Sequence, residues 1–123
     1  MHDENQIRKL LETWAQAVRA IDMAGILANH VDDIVMFDVP VPPQSRGIED
    51  YRETWDLFFQ YSSGGPGSFD FVELDVTVGD TVAFAHGILG IGTSRLRLTV
   101  GLRKEKGDWL IAHEHHSYPQ PIG

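Results

Sequence analysis

Cysteine is absent from the 123 residues. That absence removes disulfide staples, thiolate metal ligands and thiol nucleophiles together. It accords with a reducing compartment, so the cytoplasm is the expected location. Positive charge is scarce as well: 10 Lys and Arg stand against 18 Asp and Glu, a formal charge of −8. Such a chain repels phosphate backbones and anionic lipid, and no basic run offsets the repulsion. Neither nucleic acid nor a membrane is an expected partner. No apolar run approaches the roughly 20 residues needed to cross a bilayer. The opening Met1-His2-Asp3-Glu4-Asn5-Gln6 is polar and acidic, unlike a secretory leader. Two chemical motifs are missing too. Gly64, Gly65 and Gly67 have no following Lys-Ser or Lys-Thr, and no serine sits in a nucleophile elbow. Phosphate-loop nucleotide chemistry and triad hydrolysis therefore find no motif here.

What is plentiful is ring and apolar surface: three Trp, three Tyr and six Phe, within a hydrophobic fraction of 42%. The length suits one domain spanning 1–123, with one core. Ile7, Leu10, Leu11, Trp14, Val18 and Ile21 recur at helical spacing and predict a helix over about 4–20, with Asp3 as its N-cap. Asp22 is placed to cap a short second helix carrying Met23, Ile26 and Leu27. A strand is expected from Val31 to Val39, with Ile34, Met36 and Asp38 on one face. An aspartate on that apolar face breaks the pattern. Pro40, Pro42 and Pro43 stop the strand, and Ile48, Tyr51, Trp55 and Phe58 mark a third helix.

From Phe69 onward the period is two. Strands are expected over 69–78, 81–91, 96–104 and 109–118, separated by Gly79-Asp80, Gly92-Thr93-Ser94 and Lys106-Gly107-Asp108. The implied class is α+β, with three N-terminal helices packed on a curved, mainly antiparallel sheet. A hollow between helices and sheet suits an apolar small-molecule ligand.

The last strand concentrates the chemistry. His113 and His115 share one face, and Glu114 and His116 share the other. If Trp109 and Ile111 point inward, the first pair follows them; if Leu110 and Ala112 do, Glu114 and His116 enter the hollow. Periodicity leaves both registers open. His113-x-His115 puts two imidazoles on one side of the strand and His86 could supply a third, but His113-Glu114-His115-His116 is not the helical His-Glu-x-x-His metal pattern, and no cofactor or metal is expected. Arg95, Arg97, Thr99 and Arg103 share a face opposite Leu96, Leu98, Val100 and Leu102. Arg97 and Thr99 are candidates to hold a ligand oxygen if their face lines the pocket, and a solvated or subunit-facing row if it does not.

Five segments stand out in order along the chain: Ala20-Ile21-Asp22-Met23-Ala24-Gly25-Ile26, Val31-Asp32-Asp33-Ile34-Val35, Phe37-Asp38-Val39-Pro40, Arg46-Gly47-Ile48 and Gly107-Asp108-Trp109-Leu110-Ile111-Ala112-His113-Glu114-His115. Together they resemble the nuclear-transport-factor-2-like superfamily, in its SnoaL-like and ketosteroid-isomerase-like branch. The resemblance implies a cone-shaped domain, often a homodimer, that binds an apolar molecule and acts as an isomerase, cyclase, dehydratase or plain binder. It implies that Asp38 resembles the aspartate that shuttles a proton in ketosteroid isomerases. It also favours the register that turns Glu114 and His116 inward. His116 would then assist Asp38 and Glu114 would orient it or hold a charged donor such as Arg97, while Trp14, Trp55 and Phe58 would shape the wall. The isomerase oxyanion donors do not carry over, since their positions correspond to Trp14 and Thr99. Asp38 equally suits a turn-capping role before Pro40, and catalysis against simple binding stays open at this level.

Overall fold

A computed structural model describes residues 2–122. The first apolar stripe forms α1 (His2–Arg19), burying Ile7, Leu11, Trp14 and Val18 along one side. Asp3 lies inside its first turn and does not cap it; its carboxylate faces Trp109 Nε1 and Lys104 Nζ, each at 3.4 Å. Asp22 does cap α2 (Met23–Leu27), accepting from the Gly25 N–H at 3.1 Å. After β1 (His30–Phe37), a two-residue β2 (Ser45–Arg46) pairs back onto β1 and leads into α3 (Ile48–Phe58). Strands β3 (Asp70–Val78), β4 (Val82–Ile91), β5 (Ser94–Glu105) and β6 (Asp108–Ser117) complete the chain.

The strand order is β2-β1-β6-β5-β4-β3, antiparallel except where β1 runs parallel to β6. β2 and β3 end the sheet and do not pair with each other. The expected curved sheet and cone are therefore corrected to an open, mixed, mostly antiparallel sheet of six strands with three helices. Alternation reports which side chains face the core, but it carries no information on twist or closure.

The helices cover one face, α1 over β3 and α3 over β1. Beneath them lie Ala83, Ala85, Leu89, Leu96, Leu98, Val100, Leu102, Trp109 and Ile111, all buried. Each large side chain so buried contributes roughly 1.5–3 kcal/mol. The other face presents Phe84, His86, Arg95, Arg97 and Thr99 to the outside.

Bulges in two of the antiparallel pairs adjust this arrangement. On β3, Phe71 pairs with Leu89 and Glu73 with Ile88, so Val72 is the extra residue. On β6, Leu102 of β5 pairs with Ile111 and Gly101 with His113, so Ala112 is extra. One added residue reverses the facing of everything beyond it.

Candidate functional site

The bulge at Ala112 resolves the two registers in an unexpected way. Trp109 and Ile111 are buried before it, and Glu114 and His116 are buried after it. Both inward sets coexist in one strand because the parity changes between them. His113 and His115 turn to the opposite face, where their rings meet Phe37 at 4.8 and 5.5 Å.

The end of β6 closes a cavity of about 470 Å³ between α3, β1 and the sheet. Its walls are largely apolar, with Met36, Trp55, Phe58, Phe69 and Leu96 among them. Aromatic rings interlock edge to face in and behind this wall. Trp14–Phe69 centroids lie 5.2 Å apart, Trp55–Phe58 5.4 Å and Trp55–Phe69 5.6 Å. Such pairs add to burial and stiffen the cavity. Asp38 and His116 line it, and among the described residues no Lys or Arg does. The volume and lining suit a small apolar ligand.

A buried polar cluster stands directly behind His116. Glu114 has no exposed surface. Its Oε2 accepts from the Tyr51 hydroxyl at 2.6 Å and lies 2.9 Å from His30 Nε2, while Oε1 lies 3.2 Å from His116 Nε2. Burial alone pushes the Glu114 carboxyl up, but hydrogen bonds to His116 and His30, and their charge, bring it from 4.5 to about 2. Burial, with the Glu114 charge beside it, pushes the Tyr51 phenol well above 10, so it remains a proton donor. The indole N–H groups of Trp14 and Trp55 are sealed from solvent and have no hydrogen-bond partner among the described residues.

The residues named from sequence divide sharply. Asp38, just past β1, is half-buried at the cavity wall, and its Oδ1 takes the Val39 N–H at 2.8 Å. Trp55, Phe58 and His116 line the same cavity. Glu114 sits behind it. Trp14 is buried in the aromatic cluster and is not a lining residue. Arg97 and Thr99 are exposed on the outer face, because Leu96, Leu98 and Val100 take the inward positions of β5. They do not reach the cavity, and Arg97 is not a partner of Glu114. His30 and Tyr51 escaped sequence reading. The available signal was a tyrosine on the apolar stripe of α3, since a buried hydroxyl needs a partner.

Comparison with known proteins agrees with this architecture. A family model described as the SnoaL-like domain matches residues 7–121. An NTF2-like protein of unknown function from Pseudomonas putida KT2440 is 35% identical. The match covers 98% of this chain and 89% of that one, with a TM-score of 0.89. A candidate ketosteroid isomerase from Parabacteroides distasonis ATCC 8503 is 21% identical, covering 94% and 86% of the two chains at a TM-score of 0.73. A cystatin-like-fold protein of unknown function from Nostoc punctiforme PCC 73102 is 13% identical, covering 99% and 95% at a TM-score of 0.82. The two last likenesses are of fold alone. No curated protein matches the chain. With the SnoaL-like model spanning almost the whole chain over this helix-covered sheet and aromatic pocket, the protein belongs to the SnoaL-like family of the NTF2-like superfamily.

Proposed function

We propose that the cavity binds an apolar, carbonyl-containing or aromatic metabolite and that Asp38 and His116 move a proton on it, as an isomerase, cyclase or dehydratase would. One observation supports this above the others. His116 is an ionisable ring in an otherwise apolar wall, anchored from behind by the buried Glu114 carboxylate. Imidazole exchanges protons near neutrality, and a carboxylate partner fixes its orientation. Asp38 supplies a second acid-base group on the same cavity. The carboxylate takes a proton from carbon beside the carbonyl, the imidazole guides its return, and the apolar wall excludes water. Glu114 positions His116 without touching the ligand.

A second reading, ligand binding without turnover, has its own support. Arg97 and Thr99 lie on the outer face and Trp14 lies behind the wall, so none of the three is available to stabilise a developing oxyanion. Such donors normally contribute orders of magnitude in rate.

Incubation with cyclic enones and aryl ketones in D₂O, read by mass spectrometry, separates the two. Deuterium incorporation that falls at least a hundredfold in Asp38→Asn and in His116→Asn supports proton transfer. Incorporation unchanged in Asp38→Asn removes that assignment. Quenching of Trp55 fluorescence by a ketone, with no deuterium entering it, supports binding alone.

The protein is further proposed to work in the cytoplasm and as a homodimer through the outer sheet face. Arg95 and Arg97 stand on β5 and Glu73 and Asp75 on β3, all on that face, so a two-fold-related copy sets basic row against acidic row.

A further inference from the structure

A neutral imidazole has one N–H and one lone pair, and the hydrogen bonds around it decide which nitrogen holds which. His116 Nε2 faces Glu114 Oε1. Its Nδ1 has no protein partner among the described residues. Nor is Nδ1 sealed from solvent, since the buried and unpartnered side-chain atoms are the indole nitrogens of Trp14 and Trp55. A carboxylate only accepts, so an ionised Glu114 places the proton on Nε2 and leaves the Nδ1 lone pair free. A protonated Glu114 would permit the reverse. The tautomer therefore depends on whatever keeps Glu114 an anion with Oε1 available.

Two residues outside the cavity wall do this. Tyr51 donates its hydroxyl proton to Oε2 at 2.6 Å. His30 Nδ1 lies 2.8 Å from the Ala28 carbonyl, which only accepts, so that nitrogen is protonated. Its Nε2 lies 2.9 Å from Oε2, within reach to donate to the carboxylate when it carries a proton. Both contacts fall on Oε2 and leave Oε1 to His116. The rings also brace each other, with His30 and Tyr51 centroids 4.7 Å apart and the Tyr51 hydroxyl 2.9 Å from His30 Nε2.

We infer that His30 and Tyr51 are positioning residues for the pocket histidine: by occupying Glu114 Oε2 they hold His116 as the Nε2–H tautomer and leave its Nδ1 lone pair free. The use of Nδ1 in chemistry rests on the proposed function; the tautomer does not.

The test is the ¹⁵N spectrum of histidine-labelled full-length protein at a pH where the ring is neutral, with His116 assigned by its loss from His116→Asn. The expected result is a protonated Nε2 and an unprotonated Nδ1 in the unsubstituted protein. In Tyr51→Phe and in His30→Asn, both His116 nitrogens should move toward a common, averaged value as the second tautomer appears. A protonated Nδ1 in the unsubstituted protein overturns the inference without any variant having to fold. So does a Tyr51→Phe protein that keeps its fold and leaves both nitrogens unmoved. These shifts are read without substrate. Finding them in a chain that turns over no ketone would refute the catalytic reading and leave the tautomer assignment standing.

Discussion

Glu114 shows how far a single side chain can be displaced from its behaviour in water. Its carboxyl is fully buried, yet it is held near 2 by hydrogen bonds and by charge from His116 and His30. A group whose folded value lies below its unfolded value stabilises the fold at neutral pH. That stability is lost as pH falls from about 4.5 toward 2. Linkage converts the displacement to about 3 kcal/mol at pH 7. Glu114→Gln is therefore expected to lose about 3 kcal/mol in urea unfolding at pH 7, the scale seen when one member of a buried pair is removed. The gap between the two proteins should close as the titration enters the acid window. A pH-independent gap would mean that the carboxylate charge is not what stabilises the cluster. An acid and a histidine in an apolar strand made Glu114 and His116 visible in the sequence. His30 and Tyr51 were not visible, because they lie 84 and 63 residues from Glu114 along the chain and meet it only in three dimensions.

At the scale of elements, the bulges decide more than the strands do. Without the extra Ala112, alternation forces a choice between an inward Trp109–Ile111 and an inward Glu114–His116; with it, β6 contributes to core and cavity at once. The bulge on β3 works through backbone proximity. It brings the Glu73 carbonyl so close to Gly87 of β4 that a Cβ on Gly87 would collide with it. Gly87→Ala should consequently destabilise the protein by about 2 kcal/mol, measured as a lower urea midpoint with little change in slope. An unaltered midpoint would show that the β3–β4 pairing relaxes freely around the bulge. The same reasoning explains the short β2. Its two residues pair with Val35 and Met36 before Gly47 turns into α3, and no two-residue segment announces itself by periodicity.

For the whole molecule, the notable asymmetry lies between the two faces of the sheet. Helices bury one; the other leaves Phe84 47% and Val82 62% exposed, with Phe84 stacked on His86 at 6.1 Å. If a second copy covers this face, sedimentation at micromolar concentration gives twice the chain mass, and Phe84→Glu gives the single-chain mass while retaining its circular dichroism. A monomeric unsubstituted protein would remove the homodimer proposal and leave the pocket chemistry untouched. Among the described residues, no helix is long and apolar enough to cross a membrane.

The amino-acid order alone determined the helices and the longer strands, because those follow from periods of 3.6 and two that neighbouring residues set between them. It also marked Asp38 and His116 as ionisable groups on otherwise apolar surfaces. Only the tertiary structure decided that the sheet stays open, that β1 runs parallel to β6, that Arg97 and Thr99 face away from the cavity, and that His30 and Tyr51 converge on Glu114. Each of these depends on which distant segment lies alongside, and a bulge of one residue is enough to reverse the answer.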